Sequence, residues 1–183
     1  DKTHLIGASL GGLVVQEFAI KYPGMTESII LLCTFARASS DMQSTGRFFI
    51  DSIESRGHAE ICEEMMRQAY SSTYLENEKH RFDAAWEKLR ETDATYNIRG
   101  FQWMAEAGLS GDTSDRVGDI KAPTLVMAGA EDQIKLPSLF QSEARWEPER
   151  MIHLDCEAFT PLASPVADDA APRWGAGTHE ESH

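Results

Sequence analysis

The 183-residue sequence predicts an α/β fold: a mostly parallel sheet of about four strands, flanked by helices and interrupted by an inserted helical lid. Three observations carry that expectation. The runs Ser28-Ile29-Ile30-Leu31-Leu32-Cys33 and Thr124-Leu125-Val126-Met127-Ala128 show no polar alternation, which suits parallel strands covered on both faces. Strand and helix patterns alternate at both ends of the chain, as in β–α–β units. Between those ends strand signals vanish, and apolar residues recur at helical spacing.

Lys2 to Gly7 reads as a short buried strand. A helix follows from Leu10 to Lys21, with Leu10, Leu13, Val14 and Phe18 expected on one face, and Tyr22-Pro23-Gly24 stops it. Ser28–Cys33 is the second strand, so residues 1–36 form a β–α–β unit with a right-handed crossover expected.

Residues 37–116 form the lid. Phe49 and Ile53 mark one helix, and Ala59, Cys62, Met66 and Ala69 a second. Phe82, Ala85, Trp86 and Leu89 mark a third, and Ile98, Phe101, Met104, Ala105 and Gly108 a fourth. Their methionines and aromatics are read mainly as the lid's own core, with a minority facing an apolar pocket.

Residues 117–165 return to the sheet. Thr124–Ala128 is a strand running into Gly129-Ala130-Glu131-Asp132. Pro137 opens a helix through Trp146, and Arg150-Met151-Ile152-His153-Leu154 is the last strand. Residues 166–183 are rich in Ala, Asp, Gly and Pro and read as a disordered tail.

The net charge is −13, from 17 basic and 30 acidic residues. That argues against nucleic acid and anionic membrane surfaces as partners. No run of 18 apolar residues is present to span a membrane. Cys33, Cys62 and Cys156 are odd in number and widely spaced, which points to thiols in a reducing, cytoplasmic compartment. Cys33 and Cys62 sit in apolar patterns and read as packing residues. There is no P-loop, no G-x-G-x-x-G after a strand and no H-E-x-x-H, so neither cofactor nor metal is expected. Asp1 is not an initiator methionine and a strand begins at once, so the chain reads as a piece of a longer protein.

The chemistry concentrates in His4-Leu5-Ile6-Gly7-Ala8-Ser9-Leu10-Gly11-Gly12. G-x-S-x-G between a strand and a helix is the layout of a nucleophile elbow, whose sharp turn holds a serine hydroxyl clear of the backbone. The pattern alone arises by chance in roughly one chain of this length in twenty, so the flanking strand and helix carry the weight. The following helix points its N-terminal N–H groups at Ser9, and the N–H of Leu10 is placed to stabilise an oxyanion. The six histidines read as structural or surface residues: His4 and His153 in strands, His58 and His80 on the surface of the helical block, His179 and His183 in the tail.

Three segments together resemble the α/β-hydrolase family, in its lid-bearing group of small serine esterases and lactonases. They are His4–Pro23, Asp119–Pro137 and Met151–Pro165. The resemblance implies an acyl-enzyme on Ser9 and places the acid of the catalytic triad on Asp132. Without it, Asp132 reads equally as a turn residue. It also implies a small apolar ester-like substrate. Two departures bear on activity. Where the family has Gly-His after the last strand, this chain has Glu157-Ala158, and Ala158 accepts no proton. The chain also begins at the family's fifth strand, so only the C-terminal part of the fold is expected. Its first strand then becomes an open apolar edge suited to self-association. The alternative reading is a non-catalytic relative that binds an apolar ligand or a protein.

Overall fold

A computed structural model describes residues 1–92, 96–129 and 155–156. The chain starts with β1 (Thr3–Ala8), α1 (Leu10–Lys21) and β2 (Thr26–Leu32). Five helices follow: α2 (Ser40–Arg56), α3 (His58–Ala69), α4 (Ser72–Asn77), α5 (Lys79–Thr92) and α6 (Ile98–Ser110). Then come β3 (Thr124–Gly129) and the two-residue β4 (Asp155–Cys156).

The strands form one parallel sheet in the order β1-β2-β3-β4. The α/β expectation of about four parallel strands is met. Ile6 pairs with Ile30 and Ile30 with Leu125, so the apolar runs lie in register. On one face Ile29, Leu31 and Val126 are buried with Val15 and Ala19 of α1, joined by Ile120 and Ala122. On the other face Ile30, Leu32, Leu125 and Met127 are half-buried, and Ile6 is 65% exposed. Among the described residues β1 is an edge strand, as expected, but it is not the buried strand expected, since Gly7 is its one buried residue.

The α1 span matches its expected bounds, and its buried face matches in part: Leu13 is buried and Leu10 packs beside it, but Val14 is not on that face. Gly12, Leu13, Val15, Gln16 and Ala19 are buried, whereas Val14 is 63% exposed. At about 100° per residue the buried arc centres on Val15, Gln16 and Ala19, with Leu10 and Phe18 half-buried and Val14 facing out. Gly12 and Ala19 permit close approach to neighbours, and Gln16 is buried because its amide is satisfied. Hydropathy alone scores all three as weak core residues.

The helical block contains the four expected helices and a fifth, α4. Its six residues are too few to show a period, and its start is marked by Ser71, whose hydroxyl accepts the Tyr74 N–H at 3.1 Å. Gly57 joins α2 to α3 at φ 88°, the left-handed region that favours glycine. At the chain's return to the sheet, Asp155 and Cys156 pair with Ala128 and Gly129. The last-strand signal was expected to end at Leu154, just before them. Residues 150–154, the helix expected from Pro137 and the tail 166–183 lie outside the described residues.

Candidate functional site

Ser9 stands between the C-terminal end of β1 and the first turn of α1. Its backbone has φ 53° and ψ −125°. Non-glycine residues visit this conformation rarely, at about 1–3 kcal/mol. The surroundings impose it. The Ser9 N–H donates to the Leu32 carbonyl at 3.0 Å, continuing the sheet past the end of β1. The Ser9 carbonyl accepts from the Gly12 N–H at 2.9 Å and from the Thr34 hydroxyl at 2.5 Å. Cys33, at φ 40°, turns the chain off β2, its N–H donating to the Met127 carbonyl at 2.8 Å. The two positive-φ non-glycine residues among those described therefore flank one corner of the sheet.

The glycines of the motif play unequal parts. A Cβ on Gly7 would meet the backbone of Gly11 and Gly12 inside 3.0 Å. A Cβ on Gly12, outside the motif, would fall on the Thr34 side chain. A Cβ on Gly11, the motif's last glycine, would meet nothing within 4 Å. The need for small residues lies at positions 7 and 12.

Leu10 opens α1, so its N–H belongs to the first turn, where helical donors have no intrahelical acceptor. Its side chain packs on the cluster of Leu13, Phe35, Ala38, Ile50 and Leu109, which joins α1 to α2 and α6. The elbow and the helical block thus share an apolar seam.

Buried polar groups pin the entry and exit of the helical block to α1. The Gln16 Nε2 donates to the Phe35 carbonyl at 3.0 Å, and the Thr113 hydroxyl donates to Gln16 Oε1 at 2.6 Å. The Thr113 N–H donates to the Ala36 carbonyl at 2.8 Å. Gln16, Thr34 and Thr113 are at most 1% exposed. Outside them Arg116 forms a bidentate pair with Glu17 at 2.9 and 2.5 Å, and its guanidinium holds the Glu17 carboxyl below the usual range. Hydrogen bonds from the Ser114 hydroxyl and N–H similarly lower Asp112. Sequence reading missed Gln16, Thr34 and Thr113; a Gln on the glycine-bearing face of α1 was the one visible signal.

Of the expected site residues, Ser9 and Leu10 are adjacent at the elbow. Asp132, Glu131, His153, Glu157 and Ala158 lie outside the described residues. His58 was expected at the surface, and the structure buries it. It is 7% exposed, stacked on Tyr96 with ring centroids 3.3 Å apart, edge-on to Phe101, with Nε2 3.1 Å from Cys62 Sγ. The i, i+4 spacing of His58 and Cys62 puts both on one inward stripe of α3. His4 is exposed, and its Nδ1 lies 2.7 Å from Ser28 Oγ, tying β1 to β2 well below the elbow.

A family profile described as serine aminopeptidase S33, a branch of the α/β hydrolases, matches residues 1–142. The chain belongs to this α/β-hydrolase family. A 2-hydroxy-6-oxo-6-phenylhexa-2,4-dienoate hydrolase of Comamonas testosteroni is 29% identical over 139 residues, covering 73% of this chain and 47% of that protein. The chain spans about half the length of the curated relatives it matches. An α/β-hydrolase enzyme from a Medee basin deep-sea metagenome superposes with TM-score 0.74 at 17% identity, over 85% of this chain and 56% of that one. A thermophilic esterase from Thermogutta terrifontis superposes with TM-score 0.66 at 27% identity, over the same shares. Among the described residues no helix of this α/β hydrolase is long and apolar enough to cross a membrane.

Proposed function

We propose that the chain is the Ser9-bearing part of a serine hydrolase for small apolar esters, lactones or thioesters. The observation that carries this is the Ser9 backbone, strained at φ 53° between a parallel strand and a helix N-terminus. In the proposed step Ser9 Oγ bonds to the substrate carbonyl carbon, and the carbonyl oxygen takes up the electron pair against the Leu10 N–H. The carbon–heteroatom bond then breaks, and the proton from Ser9 leaves with the released alcohol or thiol. Water reverses the sequence and frees the acid. Asp132 would orient and stabilise an imidazolium, but Ala158 stands where the family's base belongs. General-base help is worth about 10²–10⁴-fold, so this chain turns over slowly as it stands. Residues 37–116 act as a lid that shapes the acyl pocket. The open edge of β1 pairs with a second copy, which sedimentation would register as a mass rising with concentration.

A fluorophosphonate probe tests the reading. Labelling of Ser9 that disappears in Ser9→Ala supports it, and no labelling at any pH overturns it. Esterase activity gained by Glu157→Gly with Ala158→His would locate the defect at the missing base. The second reading, a non-catalytic binder of an apolar ligand, is favoured by Ala158 alone. It predicts ligand affinity that survives Ser9→Ala.

A further inference from the structure

We propose that Thr34 is a positioning residue for the oxyanion donor, acting through the peptide bond between Ser9 and Leu10. The inference rests on the serine-hydrolase reading and extends it to a residue outside the motif. The Ser9 carbonyl and the Leu10 N–H belong to one planar trans peptide, so they point in opposite directions and turn together. Whatever fixes the carbonyl fixes the direction of the N–H. Two donors hold that carbonyl: the Thr34 hydroxyl at 2.5 Å and the Gly12 N–H at 2.9 Å. The Gly12 bond comes with the first turn of the helix. The Thr34 bond comes from 25 residues away and joins the elbow to the corner after β2.

The approach is built from both sides. Thr34 is fully buried, so its hydroxyl has no bulk water to turn to. Gly12 lacks the side chain that would collide with Thr34 Oγ1, Cβ and Cγ2. Thr34 also follows Cys33, whose φ of 40° swings residue 34 under the elbow. Because Ser9 holds a costly conformation, its peptide plane has a reason to relax. Loss of the Thr34 bond removes a restraint against that rotation and leaves the carbonyl one donor short.

Thr34→Val keeps the shape and removes the donor, whereas Thr34→Ser keeps the donor. Two readouts on the whole chain separate positioning from folding. The first is the rate at which a fluorophosphonate labels Ser9, since its phosphoryl oxygen occupies the oxyanion position. Thr34→Val is expected to slow labelling roughly 10–100-fold, the scale of a misplacement of about 1 Å, and Thr34→Ser to restore most of it. The second is hydrogen exchange of the Leu10 amide, expected to quicken in Thr34→Val and stay near wild type in Thr34→Ser. Wild-type labelling by Thr34→Val, or a Leu10 amide indifferent to it, overturns the proposal. A wild-type chain that never labels overturns the serine-hydrolase reading instead, and the amide exchange then decides Thr34 alone. If Thr34→Val does not fold, Thr34→Cys, a weaker donor of similar size, takes its place. Wild-type exchange at Leu10 in that variant equally overturns the proposal.

Discussion

The elbow and the helical block are held in different ways. At the elbow, backbone meets backbone. Gly7 lies against Gly11 and Gly12, the Ser9 carbonyl takes two donors, and Ser9 and Cys33 hold positive φ. The helical block rests on side chains. Phe49, Ile53, Ile61 and Phe101 form a small core, and the outside is laced with ion pairs such as Arg56 with Glu60 and Glu64, and Glu63 with Arg67 and Arg90. Trp103 and Phe48 are 60% and 53% exposed. Backbone contacts offer no alternative arrangement, whereas side-chain clusters tolerate repacking. One region is over-determined and can store strain; the other can repack.

That contrast should fail most visibly at Gly7. Gly7→Ala forces a methyl into the Gly11 and Gly12 backbone and is expected to cost about 3 kcal/mol or more in a urea titration. Gly11→Ala is the internal control: it meets open space within a helix and should be neutral or stabilising by about 0.5–1 kcal/mol. Equal losses at the two positions would break the account of the elbow.

In the helical block, Ile53→Ala empties a fully buried site and is expected to cost about 2–4 kcal/mol. Its effect on Ser9 labelling should be small beside that of Thr34→Val. If the two are alike, the regions are mechanically one.

The seam between the regions carries a pH signature. The Arg116 guanidinium lowers the Glu17 carboxyl in the folded state, and Ser114 lowers Asp112. A lowered carboxyl adds stability above its unfolded value, about 4, and loses it as pH falls through the folded value. Glu17→Gln should therefore be less stable than wild type at pH 7 by about 0.2–1 kcal/mol, since the pair is largely exposed. The gap should close in acid, as followed by thermal melts from pH 7 to 3. A constant gap would mean that Glu17 acts by packing.

Val14 should show the smallest effect. With 63% of it exposed, Val14→Lys is expected to shift stability by no more than about 0.5 kcal/mol. A large loss would restore the sequence-derived face of α1.

The two regions were also unequally legible. The α1 bounds, the β–α–β opening and four helices of the block follow from breakers, caps and periodicity, which are local signals. The buried face of α1 followed only in part, because Gln16 and Gly12 earn their burial through Phe35, Thr113 and Thr34, all distant in sequence. His58 read as a surface residue because its partners Tyr96 and Phe101 lie across the block. The short α4 carried too few residues to show a period.

By itself the sequence determined that a serine stands between a parallel strand and a helix, in a chain of α/β-hydrolase pattern. Strand hydropathy, the Pro-Gly stop and the G-x-S-x-G spacing are properties of neighbouring residues, and they are readable as such. Only the tertiary structure decided which glycines the turn requires and which hydroxyl holds the Ser9 peptide. Those are matters of close approach between segments 25 residues apart, and steric exclusion of that kind leaves no periodic trace in the chain.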